Sequence, residues 1–303
     1  MNDLINKNMD FIGLFDSGFG GISVLNYCIH LMPNENYIFF ADSLNCPYGK
    51  KSKEELVQIG LDIISNFDKL SPKSLIIACG TMSTSDIHTF RNRFKNIKLI
   101  GTFPDFTHIL KPNFVLENRS IEFSSTNHLK IKSHKLKILI LATTATCRSE
   151  YIKEKIDLYD RFIDIYLEPA DKIVKAVEND EIDSFYLRNY LEDILKSYKG
   201  IDYLVLGCTH FPFAENVIKQ IVGDKVIITS GCEVAANMCF NYLKLKDNLN
   251  TDTKKPFIKI IDAKLDEKRK NTFMKLLHID KSRYDMDFIM DFNQLNSGSH
   301  ISF

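Results

Sequence analysis

The chain has 303 residues, and its 39 lysines and arginines are matched by 39 aspartates and glutamates, so the formal net charge is zero. A hydrophobic fraction of 45% and a charged fraction of 26% describe a globular protein with enough chain for one large or two ordinary domains. The charge balance speaks against a dedicated nucleic-acid binder, no stretch approaches the roughly 18 apolar residues of a membrane span, and the polar start Met1–Asp10 lacks a signal-peptide core, so a cytoplasmic protein is expected.

Short apolar runs alternate with longer stretches of helical period. The first expected strand, Phe11–Phe15, leads into Asp16-Ser17-Gly18-Phe19-Gly20-Gly21 and a helix over Gly21–Leu31. Tyr37–Ala41 is followed by Asp42-Ser43, by Pro47-Tyr48-Gly49, and by a helix over Ser52–Lys69 that opens with a capping-box pair, Ser52 and Glu55. Ser74–Ala78 ends in Cys79-Gly80-Thr81, before a helix over Ser83–Phe94 and a strand at Lys98–Gly101. Pro112–His134 breaks the rhythm and reads as an insertion or linker. Lys137–Ala142 then runs into Thr143-Thr144-Ala145-Thr146 and a helix over Ser149–Leu158. Phe162–Tyr166 precedes helices over Ala170–Val177 and Ser184–Ser197, the latter capped by Asp183 or Ser184. Tyr203–Gly207 ends in Cys208-Thr209-His210, followed by a helix over Glu215–Val222. A strand at Lys225–Thr229, a helix over Cys232–Lys244, a lysine-rich connection to Lys255 and a strand at Phe257–Asp262 complete the series.

Strands this short and continuously apolar are expected in parallel sheets covered on both faces. The β-then-α order therefore predicts an α/β fold with parallel sheets, and the matching cysteine-bearing strand ends hint at two similar halves.

Ligands of open parallel sheets bind beyond the carboxyl ends of the strands. Acids, hydroxyls and two thiols collect at those ends here. The Gly18–Gly21 cluster fits neither common phosphate-loop pattern and reads as a tight strand-to-helix turn. Seven cysteines at irregular spacing point to a reducing compartment, and Cys208-Thr209-His210 is not spaced as a usual zinc site, so no metal is expected. Either Cys79 or Cys208 alone would be at home in a core. Two thiols in matching strand-end positions suggest opposed acid/base groups. Inverting a stereocentre beside a carboxylate needs one group to take a proton from one face and another to return one to the opposite face. Asp16 and His210 are the candidates to orient or deprotonate the thiols. Cys28, Cys46, Cys147, Cys232 and Cys239 read as structural.

These strand ends also carry a resemblance. Phe15-Asp16-Ser17-Gly18-Phe19-Gly20-Gly21 resembles the opening motif of the glutamate racemases. Pro47-Tyr48-Gly49, Ala78-Cys79-Gly80-Thr81, Ala142-Thr143-Thr144-Ala145-Thr146 and Leu206-Gly207-Cys208-Thr209-His210-Phe211-Pro212 are similar to that family's later motifs, in order. The resemblance implies a cofactor-independent amino-acid racemase of two similar α/β domains, each a mainly parallel sheet flanked by helices, with the active site in the cleft between them; the division it implies joins residues 1–111 with 213–303 and leaves 112–212 as the second domain. It implies Cys79 and Cys208 as the acid/base pair, assisted by Asp16 and His210. It further implies Ser17, Pro47, Tyr48, Gly49, Gly80, Thr81, Thr144 and Thr209 around a small substrate, glutamate. D-Glutamate made this way supplies peptidoglycan, and hence cell-wall synthesis and cell shape. The resemblance leaves room for a homodimer.

Three positions depart from the family pattern. Gly80 stands where the family has Asn, Ala41-Asp42-Ser43 replaces Gly-Asp-Thr, and Thr229-Ser230-Gly231 replaces Asp-Ser-Gly. A lost amide in a closed site costs about 1–3 kcal/mol. Two further readings therefore stand beside glutamate: a racemase of aspartate or another small acidic amino acid, and a low-activity paralogue with a binding or regulatory role.

Overall fold

The computed structural model describes residues 10–110, 135–160, 163–251 and 254–296. The expected insertion at 112–134 lies outside them. Among the described residues ten strands form two sheets: β1 (Ile12–Asp16), β2 (Tyr37–Ala41), β3 (Ser74–Ile77), β4 (Leu99–Gly101), β5 (Leu136–Ala142), β6 (Ile163–Pro169), β7 (Tyr203–Leu206), β8 (Ile227–Ser230), β9 (Phe257–Asp262) and β10 (Asp285–Ile289). The first sheet has the order β10-β9-β2-β1-β3-β4 and the second β6-β5-β7-β8. Every pairing in both is parallel, with Ile12 opposite Tyr37 on one side and Ser74 on the other, and Ile138 opposite Tyr203.

The central strands are buried along their whole length, as their unbroken apolar runs require. Alternation along β1 divides its side chains between two cores. Ile12 and Leu14 join a large cluster with Leu139, Leu141 and Leu204, while Phe11 and Phe15 join Leu75, Ile77 and Phe67 on the other face. The helix Lys53–Leu70 starts on the expected capping box, with Ser52 accepting from the Glu55 amide. Of the two candidate caps for the helix Phe185–Leu195, Ser184 is the one used.

Two features differ from the sequence reading. β10 was not expected: Asp285-Met286-Asp287-Phe288-Ile289 is an edge strand whose outward acids hide its apolar pattern. β8 lies beyond residue 212, where the expected division ended the second domain, yet it pairs with β7 in the second sheet. The chain returns toward the first sheet only at the helix Gly231–Leu245, where Cys232, Ala235 and Cys239 share a core with Val24, Leu25 and Cys28. Among the described residues no helix is long and apolar enough to cross a membrane.

Strand order also determines where a ligand is able to sit. Leaving β1 the chain goes to β2 on one side and then to β3 on the other, so the first sheet reverses between β1 and β3. The second reverses between β5 and β7. Crevices open at such reversals, beyond the carboxyl ends of the strands. Asp16 and Cys79 mark the first crevice, and Thr143 and Cys208 the second.

Candidate active site

One cavity of about 110 Å³ joins the two crevices. At roughly 10–15 Å³ per water it has room for about seven to eleven waters, which suits a small metabolite. Ser17, Pro47, Tyr48, Gly49, Cys79, Gly80 and Thr81 line it from the first sheet's loops, and Cys208, Thr209 and His210 from the second. Ten of the twelve residues expected at the site therefore face one space. The other two are Asp16, which is fully buried, and Thr144.

Cys79 follows β3 and is nearly buried. The Asp16 carboxylate lies behind it. Burial pushes the Cys79 thiol well up, and the neighbouring Asp16 charge adds to the effect. Burial also raises Asp16, against the opposing pull of His210 and of the hydrogen bonds from Thr209 and Ser17. Asp16 is held from both halves of the molecule. The Ser17 amide donates to Oδ1 at 2.6 Å, and the Thr209 hydroxyl, from the other sheet, donates to Oδ2 at 2.8 Å.

Cys208 follows β7 and is half-buried. Its Sγ lies 3.6 Å from His210 Nδ1, and His210 Nε2 lies 2.8 Å from Glu178 Oε1. Burial works against a charged imidazole, but the Cys208 and Glu178 contacts outweigh it and hold His210 well above its usual value. Burial likewise opposes a charged Glu178, and the His210 contact prevails and holds that carboxyl low. The result is a carboxylate–imidazole–thiol relay with the imidazole favoured in its protonated form. Glu178 also accepts the Phe19 amide at 2.8 Å, tying the relay to the turn after β1.

Tyr48 lines the cavity, and its hydroxyl donates to Asp42 at 2.7 Å. The threonine run after β5 divides its work. Thr143 and Thr146 line the cavity, with Thr143 Oγ1 3.3 Å from Thr81 Oγ1 across the cleft. Thr144 turns away and gives its amide and hydroxyl to Asp171 at 3.1 and 2.5 Å. Glu178, Asp171, Lys175 and Lys50 were not singled out from the sequence. Asp171, Val174 and Lys175 line the cavity and Glu178 follows at the same helical spacing, so one face of the helix Asp171–Glu178 lies along the cleft. That polar stripe was the available signal. Among the described residues no group of three or more His, Cys, Asp or Glu side chains is arranged to hold a metal ion.

No family model matches the chain. It is 33% identical over 268 residues to the glutamate racemase of Clostridium botulinum strain Alaska E43, covering 88% of this chain and 96% of that one. Among solved structures it superimposes on glutamate racemase isoform RacE1 of Bacillus anthracis with a TM-score of 0.76 at 23% identity, covering 92% of this chain and 97% of that one. It matches the glutamate racemase of Francisella tularensis in complex with D-glutamate with a TM-score of 0.72 at 23% identity, covering 94% and 98%. At that identity the structural matches speak for the fold: α/β, with two parallel sheets and a cleft between them.

Proposed function

The chain belongs to the glutamate racemase family, and we propose that it interconverts L- and D-glutamate by passing a Cα proton between Cys79 and Cys208. The observation that carries this reading is the shared cavity: two thiols from two different sheets line it, each backed by its own acid/base partner.

The proton balance closes with these groups. One thiolate removes the Cα proton and becomes a thiol. The electron pair left on carbon spreads into the adjacent carboxylate. The opposite thiol delivers its proton to the other face and becomes the thiolate. Burial and Asp16 favour Cys79 as a neutral thiol, which leaves Cys208, 3.6 Å from His210 Nδ1, to start as the base. Cys208 is thus the resting base and Cys79 the resting acid. Reversing the reaction, or exchanging protons with solvent through Asp16 and His210, restores that state. Thr81 and Thr143, with the amides opening the helix Gly80–Arg93, suit the α-carboxylate that must take up the electron pair. The Ser17 and Thr209 hydroxyls, which line the cavity and donate to Asp16, keep lone pairs that suit the ammonium group. A cytoplasmic enzyme supplying D-glutamate for peptidoglycan follows from this activity.

The test is incubation with L-glutamate in deuterated water, following chirality and deuterium at Cα. Inversion with deuterium incorporation is expected, and its loss in both Cys79→Ser and Cys208→Ser. Inversion of aspartate without glutamate would move the substrate to the smaller acid. Full racemisation by either serine variant would end the two-thiol mechanism.

A further inference from the structure

None of the acid/base groups comes from the last third of the chain, yet one cation from there reaches the turn after β1. Arg269 stands in the first turn of the helix Glu267–Leu276, with its guanidinium carbon 4.3 Å from the centre of the Phe19 ring. Its Nε donates at 2.7 Å to Oδ2 of Asp262, at the end of β9. Asp262 is fully buried, and it also accepts from the Ser43 hydroxyl and, at 2.9 Å, from the Lys264 amide.

Packing alone does not explain a cation at this place. Arg269 lies close to the start of its helix, where the macrodipole disfavours positive charge. Its Nη2 is buried and makes no hydrogen bond among the described residues, a cost that an apolar side chain on the Phe19 ring would avoid. Asp262 calls for a counter-charge, but that pairing does not require the cation to lie on Phe19. Phe19 is where the charge has a use. Its amide donates to Glu178 Oε1 at 2.8 Å, and the same oxygen lies 2.8 Å from His210 Nε2. Contacts therefore run unbroken from Asp262 through Arg269 and Phe19 to Glu178, His210 and Cys208. Burial opposes a charged Glu178; the His210 contacts, the Phe19 amide and then the Arg269 charge hold that carboxyl low. Cys46, on the loop after β2, also feels Glu178, but burial pushes its thiol to about 12 and keeps it neutral.

We propose that Arg269 is a positioning residue for the His210 relay: held by Asp262 and laid on Phe19, it fixes the turn whose amide holds Glu178 and sets a positive charge beside it. This rests on the racemase reading above, but it is tested by titration as well as by turnover.

The Glu178 carboxyl, isotope-labelled and assigned with Glu178→Gln, is titrated by NMR in the wild-type chain, Arg269→Gln and Arg269→Lys, with thermal unfolding as a check on folding. Its midpoint should rise in Arg269→Gln and return toward wild type in Arg269→Lys, which keeps the charge. If Arg269→Gln fails to fold with Asp262 left uncompensated, Asp262→Asn/Arg269→Gln removes both charges and should still show the rise, because the arginine stands between Asp262 and Phe19. In racemase assays kcat should fall with KM unchanged, on the acid side of the pH profile, by no more than the roughly five- to twelvefold expected for losing the Glu178 charge itself. In a Glu178→Gln background, Arg269→Gln should cost less than about twofold further, since the charge it supports is already gone. A wild-type Glu178 midpoint in Arg269→Gln, or a loss of kcat that multiplies with that of Glu178→Gln, would overturn the proposal and leave Arg269 as a structural partner of Asp262. A wild-type chain that does not racemise glutamate would remove the activity, and the carboxyl titration would then decide alone.

Discussion

Glu178→Gln isolates the charge in the His210 relay. Glutamine keeps an oxygen to accept the Phe19 amide and the His210 Nε2 hydrogen, so the packing of the turn after β1 is preserved. What disappears is the negative charge 2.8 Å from a buried imidazole. Hydrogen bonds to charged groups contribute about 1.5–3 kcal/mol and neutral ones about 0.5–1.5, so the variant forfeits about 1–1.5 kcal/mol of support for imidazolium. His210 is only 3% exposed and Glu178 19%, so solvent screens little of it. If that support is fully used in the step at Cys208, the rate falls roughly five- to twelvefold. Both enantiomers have the same free energy, so kcat/KM must fall equally in the two directions. Progress curves from circular dichroism, run from each enantiomer, measure this. The asymmetry belongs in the isotope effect. With Cα-deuterated substrate it should grow for the enantiomer whose proton goes to Cys208 and shrink for the other. Unchanged rates and isotope effects in Glu178→Gln would refute the relay as a catalytic element.

The same pair predicts a pH-dependent stability. Glu178 is held below its unfolded value of 4.5, so its contribution is present above that pH and is lost as pH falls through the lower folded value. His210 is raised above 6.5, so its contribution is present below that pH and is lost as pH rises through the higher folded value. The gap in melting temperature between wild type and Glu178→Gln should therefore be widest between those limits and narrow at both ends; a gap independent of pH would contradict the ion pair. Gly231→Ala would put a Cβ 1.9 Å from the Phe103 carbonyl oxygen, and such overpacking should cost about 1–3 kcal/mol, read as a lower urea midpoint with an unchanged slope. Iodoacetamide at neutral pH should label Cys208 before Cys79, which is buried and held protonated, and before Cys46 and Cys147, which burial pushes to about 12 and about 11. Peptide mapping showing Cys79 modified first would reverse the assignment of resting acid and base.

Much of this was legible because strand ends declare themselves. Apolar runs closed by Asp16, Cys79, Thr143 and Cys208 give both the parallel sheets and the residues at their reversals. Glu178 was not legible, because it sits late in an ordinary amphipathic helix and gains its role only when that helix lies across the cleft. The split between Thr144 and its neighbours was hidden for a similar reason: three threonines share one turn, and only the docking of Asp171 decides which faces outward. β8 was assigned to the wrong side because a strand carries no mark of the sheet it joins.

The Gly18–Gly21 turn joins these observations into one account of how the site is assembled. A Cβ on Gly18 would fall 2.2 Å from Glu178 Oε1, and one on Gly20 would fall 2.4 Å from His210 Nδ1. Those glycines leave room for the relay of the opposite half to press against the turn after β1. Across the same seam Thr209 donates to Asp16, and the Phe19 amide donates to Glu178. Each acid/base assembly is thus completed by a group from the other half. Opening the cleft would remove a donor from Asp16 and one from Glu178 together, leaving two buried carboxylates short of partners. The contacts that hold the two halves together across the seam are therefore among those that set the protonation of Asp16 and Glu178.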